Sequence, residues 1–166
     1  IFFKGFKRSN GISGTRNYIG LISTVNGSAT VVKKIADKVN LKLKETNFNN
    51  IDGAVSLKHS SGCGMNNTSY GMSVFNRTIE GFKVHPNFAK VYVIGLGCEC
   101  AQISLYDKDK LRGNIEYLNI QDEGGTNEII NKVSSKIINQ LEAINNVQRI
   151  DIPISELTLA LQCGGS

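Results

Sequence analysis

The chain has 166 residues, of which 40% are hydrophobic and 20% charged, so it can bury one domain core, and disorder is excluded. No apolar run approaches the roughly 20 residues that cross a bilayer, so we expect no membrane association. Because the opening apolar segment is also too short for the core of a signal peptide, we expect a cytoplasmic protein. The formal charge of +5 is spread over scattered lysines without interleaved aromatic side chains, so we expect the protein to bind no nucleic acid.

Short apolar runs rich in β-branched and aromatic residues predict the strands. Four of these runs are predicted to be buried on both faces of a sheet. They comprise residues 18–25, 53–57, 91–96 and 115–120. A further run at 157–161 follows a linker around Pro153 and predicts a last strand.

Apolar residues recur at helical spacing between these strands, in residues 31–39, 67–82 and 127–144. Ser28 or Thr30 is available to cap the first of these helices. Strands that alternate with helices favour parallel pairing through right-handed crossovers. We therefore predict a single three-layer α/β domain with a mostly parallel, doubly wound sheet, Rossmann-like or flavodoxin-like.

Glycines and polar residues follow each predicted strand, as expected at the ligand-binding edge of an α/β sheet. Three of these turns carry a cysteine, namely Cys63, Cys98 and Cys163. Three thiolates on one edge can hold iron or an iron–sulfur cluster. Alternatives remain open. The thiols can be inert and buried, zinc is less favoured without a C-x-x-C pair, and Cys98 with Cys100 can form a redox pair. For Cys100 we favour an inert position in a following helix.

Two further residues in these turns are candidates for acid–base chemistry. His59 ends the second predicted strand and is a candidate general base or metal ligand, or else a structural histidine. Glu99 neighbours Cys98 and is a candidate proton acceptor or ligand, or else a carboxylate in the first turn of a helix.

Anionic groups have several candidate partners in the chain. Arg16 can clamp a carboxylate bidentately, although it precedes the first predicted strand and so belongs to the opposite edge, where it can also stabilise a loop. Gly124, Gly125 and Thr126 precede the longest helix, whose N-terminus can receive an anion unless Thr126 serves as its N-cap. Asn26 lies in the turn after the first predicted strand.

The order, spacing and residue types of these segments resemble a known enzyme family. The matching segments are Gly14-Thr15-Arg16-Asn17, Thr24-Val25-Asn26, His59 with Gly62-Cys63-Gly64, His85-Pro86-Asn87, Gly95-Leu96-Gly97-Cys98-Glu99, Gly124-Gly125-Thr126 and Gln162-Cys163-Gly164-Gly165-Ser166. Together they are similar to the central region of the altronate and galactarate dehydratase family, which includes the large subunit of sulfolactate sulfo-lyase.

The resemblance implies an enzyme that removes water from a hexonate or hexarate, gives a 2-keto-3-deoxy acid and depends on ferrous iron or a similar metal such as manganese. It implies Cys63, Cys98 and Cys163 as metal ligands and His59 and Glu99 as acid–base groups or ligands. Arg16, Asn26 and residues 124–126 are then the candidate substrate contacts. The family usually has cysteine where this chain has Gly27.

Members of that family are also much longer, so we expect this chain to be a piece of a longer enzyme and to have little activity alone. We expect it to interact with an anionic sugar acid as substrate and with the remaining domains of the same enzyme. Its oligomeric state is open, and a homo-oligomer is possible. A non-catalytic metal- or ligand-binding module and a thiol redox domain are the alternative functions.

Overall fold

A computed structural model describes residues 1–105 and 114–165. Its main sheet has four parallel strands, β3 (Tyr18–Ser23), β4 (Gly53–Leu57), β5 (Phe88–Gly95) and β6 (Ile115–Asn119), in the order β4-β3-β5-β6. Because β4 lies on one side of β3 and β5 on the other, the winding direction reverses between β3 and β5. In doubly wound sheets the ligand crevice opens at this switch point, at the carboxyl ends of the strands.

Three helices cover the two faces of this sheet. Helices α1 (Asn26–Lys44) and α3 (Thr126–Asn145) pack side by side on one face, against Leu21 and Ile94 among others. Helix α2 (Tyr70–Lys83) covers the other face, against Ile22 and Val93. The predicted three-layer α/β fold and its three helices are therefore confirmed. Among the described residues, no helix has the length and apolarity needed to cross a membrane.

A second, antiparallel sheet was not predicted from the sequence. It consists of β1 (Phe2–Lys7), β2 (Ser13–Gly14) and β7 (Ile150–Pro153), in the order β2-β1-β7. Arg149 fastens it to the amino ends of the main strands, because its guanidinium donates to the Thr15 carbonyl at 2.8 Å and stacks on the Phe6 ring at 4.5 Å.

Two predictions of local structure were wrong. Residues 157–161 form no strand; a short 3-10 helix at Ile154–Glu156 precedes them, and they pair with no described strand. Neither Ser28 nor Thr30 caps α1, whose N-cap is Val25 without a side-chain hydrogen bond. The buried Ser28 hydroxyl instead bonds to the carbonyl of Ile94 at 2.7 Å and so ties α1 to β5.

Candidate active site

The turns after β3 and β5 are joined by one buried hydrogen bond across the switch point. Thr24 is fully buried just beyond β3, and its hydroxyl donates to Oε1 of Glu99 at 2.6 Å. Its backbone N–H donates to the carbonyl of Ile94 at 3.1 Å, which continues the pairing of β3 with β5. Thr24 is therefore held through both its side chain and its backbone at the point where a ligand crevice is expected.

Glu99 organises the turn that carries Cys98. Only 4% of its surface is exposed, and besides Thr24 its carboxylate accepts from the backbone N–H groups of Leu96 at 3.0 Å and Gly97 at 2.6 Å. Three donors compensate the desolvation of this charge. Residues 98–101 are irregular rather than helical, so Glu99 is not a first-turn helix carboxylate and Cys100 does not lie in a helix.

Two glycines make this arrangement sterically feasible. A Cβ atom at Gly95 would clash with Oε1 of Glu99 and would lie 2.7 Å from Oδ1 of Asn119, so only glycine lets the carboxylate fold back over β5. Gly97 has a φ of +118°, and a Cβ there would lie 2.6 Å from Oε1 of Gln121. The turn after β5 therefore packs directly on the turn after β6.

Asn119 ends β6 beside this carboxylate and contributes a buried acceptor. Its Nδ2 donates to Oδ2 of Asp122 at 2.9 Å, while its Oδ1 is buried with no hydrogen-bond partner in the part of the chain that the structure describes. Buried polar atoms in folded proteins are almost always bonded, so Oδ1 of Asn119 is an exception to this rule beside the Glu99 carboxylate.

His59 lies on the other side of the switch point, where its ring holds a loop in place. The Ser61 N–H donates to Nδ1 at 3.1 Å, which leaves Nε2 to donate to the carbonyl of Ser23 at 2.9 Å. The edge of the ring also contacts Phe75 at a centroid distance of 4.9 Å. Both ring nitrogens are thus occupied, and chemistry at His59 requires this loop to open.

The loop that His59 holds lies directly against the end of β3. Gly62 has a φ of +99°, and a Cβ there would lie 2.6 Å from the carbonyl oxygen of Thr24. The backbone N–H of Asn26 donates to the carbonyl of Ser61 at 2.9 Å, and the side chain of Asn26 is exposed. The turns after β3, β4, β5 and β6 therefore meet at one edge, as the post-strand glycines predicted.

Only two of the three cysteines predicted as metal ligands lie in the turns that meet at this edge. Cys63 and Cys98 are exposed in two of the converging turns, and Cys100 is half-buried. A cleft of about 570 Å³ opens beside Cys98, Glu99 and Cys100 and is bounded by Met72 of α2. Cys163 is exposed in residues 157–165, which lack secondary structure.

A metal ion needs several ligands around one point, and the described residues do not supply them. Within residues 1–105 and 114–165, no three His, Cys, Asp or Glu side chains are placed to hold one ion. The cysteines in their present positions therefore do not fit iron, zinc or a cluster, and the predicted metal site stays a prediction.

The predicted anion contacts are divided between the two edges of the sheet. Arg16 lies at the amino end of β3, separated from the carboxyl edge by a six-residue strand of about 20 Å, and pairs with Asp52 at 3.3 Å. At the carboxyl edge, Gly125 is the N-cap of α3 and Thr126 is its first residue, so Thr126 is not the N-cap. The N-cap glycine has no side chain to cap this N-terminus, and Glu128 places a carboxylate in the first turn of the helix.

The chain is similar in sequence to known proteins over most of its length. The model of the family described as D-galactarate dehydratase/altronate hydrolase, second domain, matches residues 5–145. The altronate dehydratase of Bacillus subtilis is 29% identical over 99% of this chain and 32% of its own length. The galactarate dehydratase (L-threo-forming) of Escherichia coli is 32% identical over 99% of this chain and 33% of its own length.

A third relative is named as an enzyme with a different reaction. The (2R)-sulfolactate sulfo-lyase subunit beta of Chromohalobacter salexigens is 28% identical over 99% of this chain and 38% of its own length. The chain spans about a third of the length of the curated relatives it matches. The resemblance seen in the sequence motifs is confirmed, and the chain belongs to the D-galactarate dehydratase/altronate hydrolase family, in which it corresponds to the second domain.

Proposed function

We propose that this chain supplies one wall of the active site of a sugar-acid dehydratase, which converts a hexonate or hexarate of the altronate or galactarate type to a 2-keto-3-deoxy acid. The observation that carries the proposal is the meeting of four post-strand turns around the buried Thr24–Glu99 hydrogen bond at the switch point. Relatives named as altronate and galactarate dehydratases give the reaction class.

The reaction needs two groups that act on neighbouring carbons. A base removes the proton next to the carboxylate, an acid protonates the hydroxyl that leaves the neighbouring carbon as water, and the resulting enol becomes the 2-keto-3-deoxy product. We propose Glu99 and His59 as the candidates in this chain. Among the described residues, Oε2 of Glu99 accepts one hydrogen bond, from Gly97, and so has capacity for another, and Glu99 is one of the residues that line the cleft beside Cys98.

The substrate is an anion, and one feature of this edge suits it. The N-terminus of the 20-residue helix α3 opens here at Gly124, Gly125 and Thr126, and its N-cap Gly125 has no side chain. We propose that this turn and Asn26 contact the carboxylate and hydroxyl groups of the sugar acid. Arg16 stays a weaker candidate, because its ion pair with Asp52 lies at the opposite edge.

We also propose ferrous iron, an iron–sulfur cluster or manganese as the cofactor of the complete enzyme, with Cys63, Cys98 and Cys163 as its ligands. Thiolates favour iron among these metals. The proposal requires Cys163 to move from its exposed position toward the edge that carries the other two cysteines.

The test uses the complete protein, purified without oxygen and incubated with altronate or galactarate. We expect formation of a 2-keto-3-deoxy acid, bound metal, and loss of both in the Cys63→Ser, Cys98→Ser and Cys163→Ser variants. The half-buried Cys100 supplies the matched control, because Cys100→Ser is expected to keep metal and activity. Metal without turnover on any sugar acid would favour a binding module, and a reversible Cys98–Cys100 disulfide would favour a redox domain.

A further inference from the structure

The cleft beside Glu99 is lined by side chains that suit a chain of hydroxyl groups. Amide side chains line it from three segments of the chain, with Asn67 before α2, Asn76 in α2 and Gln102 after β5. A primary amide offers two N–H donors and a carbonyl acceptor, and each hydroxyl group of a sugar both donates and accepts. The volume of about 570 Å³ lies within the roughly 300–1,000 Å³ typical of small-molecule sites.

Two of these amides, Asn67 and Gln102, are exposed on well-anchored loops. Asn67 lies two residues before Ser69, the N-cap of α2, whose hydroxyl accepts from the Met72 N–H at 3.1 Å. Gln102 directly follows Ala101, which is fully buried in the same core cluster as Met72. Both amides are therefore accessible to a ligand and held at one wall of the cleft.

The cleft and the N-terminus of α3 lie toward opposite faces of the main sheet. Met72 and Asn76 of α2 line the cleft, whereas α3 packs with α1 on the other face. Glu99 lies between the two. Its side chain lines the cleft, and the turn that carries it packs through Gly97 on Gln121, shortly before the start of α3.

The Glu99 carboxylate decides which end of a sugar acid the cleft accepts. It accepts hydrogen bonds from the Thr24 hydroxyl and from the N–H groups of Leu96 and Gly97, which hold it in place beside the cleft. A substrate carboxylate that entered the cleft would be repelled by this charge, whereas hydroxyl groups would find donors and acceptors in the amides. The cleft therefore suits the hydroxylated end of the substrate.

We infer that this cleft is the subsite for the hydroxylated tail of the sugar acid, with Asn67 and Gln102 as its specificity-determining residues. The inference rests on the proposed function. Dehydration breaks bonds at the carbon next to the carboxylate and at the following carbon, so these two carbons lie at Glu99. The substrate carboxylate then lies toward residues 124–126, and the last three carbons of the chain extend into the cleft.

The test measures kcat/KM of the complete protein and of its Asn67→Ala and Gln102→Ala variants. Each variant loses a hydrogen bond to a hydroxyl group, so kcat/KM for altronate or galactarate should fall about five-fold or more, chiefly through a higher KM. Asn49→Ala is the matched control, because Asn49 is an exposed amide that precedes β4 at the amino edge of the sheet, and its kcat/KM should not change. Unchanged kcat/KM in both cleft variants would overturn the inference.

A shorter substrate separates a tail contact from a general loss of function. Threonate has the carboxylate and the neighbouring hydroxyl groups of a hexonate but lacks its last two carbons. We expect the unmodified protein to prefer the six-carbon acid in kcat/KM, or in the inhibition constant where threonate is not converted. Each cleft variant should reduce this preference about five-fold, because threonate does not make the contacts that the variant removes. Equal losses on both acids would contradict a tail subsite.

An added charge tests the orientation and covers the case in which alanine disturbs a loop. Gln102→Glu keeps the size of the side chain and adds a carboxylate to the cleft. It should weaken galactarate, whose second carboxylate enters the cleft, about five-fold more than altronate, which ends in a hydroxyl group. Equal weakening of the two acids would contradict the orientation. If the unmodified protein converts no sugar acid, the proposed function fails and this subsite with it; if it converts them without these differences, only the subsite fails.

Discussion

The hydrogen bond between Thr24 and Glu99 predicts a specific loss of stability. Changing Thr24 to valine keeps the shape of the side chain but removes the donor that lies 2.6 Å from the buried carboxylate. A hydrogen bond to a charged group contributes about 1.5–3 kcal/mol, and Glu99 would keep only the two backbone donors in a site with 4% exposure. We therefore expect Thr24→Val to lower the free energy of unfolding by about 2 kcal/mol.

Two further variants separate this bond from simple packing, all measured by unfolding in guanidinium chloride. Thr24→Ser keeps the hydroxyl and loses one buried methyl group, so its cost should be about 1 kcal/mol or less. A double-mutant cycle with Glu99→Gln should give a coupling energy of about 1–2 kcal/mol. Equal losses in Thr24→Val and Thr24→Ser, together with zero coupling, would refute the conclusion that Thr24 stabilises the Glu99 carboxylate.

Three other predictions use the same unfolding measurement. Gly95→Ala should destabilise the protein by about 1–3 kcal/mol, because the added Cβ clashes with Glu99. The control variant Gly81→Ala lies in α2 with open space around the added Cβ and should stabilise the protein by about 0.5–1 kcal/mol. Similar effects at both sites would contradict the steric explanation. Asn40→Leu should cost about 2 kcal/mol because both backbone groups of Ala54 lose their partner, and a neutral result would show that water replaces it. Burial raises the pKa of Glu116, but hydrogen bonds from Lys136 and Lys90 outweigh burial and lower the pKa below 4.5. The contribution of Glu116 to the free energy of unfolding is therefore complete above its unfolded pKa and is lost as the pH falls through its lowered folded pKa. In the Glu116→Gln variant, the decrease in the free energy of unfolding on acidification below about pH 5 should be smaller by about 1 kcal/mol. An unchanged dependence on pH would exclude this role.

The main sheet and its helices could be predicted because their signals are local. The period of the apolar residues in 31–39 and 127–144 places α1 and α3 to within a few residues, and the glycines after the strands locate the edge with the converging turns. The small sheet escaped prediction because β1 is a mixed basic and aromatic segment whose partner β7 lies almost 150 residues away. Its strands come from the two ends of the chain and are joined further by Arg149, which donates to the carbonyls of Lys4 and Thr15, and no local pattern reports these contacts.

The candidate site was predictable in its residue types but not in its bonds. Thr24 and Glu99 both lie in segments that carry the family resemblance, yet their hydrogen bond follows from the reversal of winding between β3 and β5, which no spacing in the sequence reports. The alternation at 157–161 predicted a strand and was wrong, because a strand also requires a neighbour and none of the described strands is placed beside this segment. Cys163 consequently lies apart from the turns that hold Cys63 and Cys98.

The location of the substrate site can be tested by hydrogen exchange of the complete protein with and without altronate or galactarate. We predict that bound sugar acid slows exchange at residues 24–28, 96–100 and 124–128, at the carboxyl ends of the main strands, and leaves residues 8–16 at the opposite edge unchanged. Protection confined to residues 8–16, or no protection in any of these segments while the protein turns over the sugar acid, would contradict a site at the switch point.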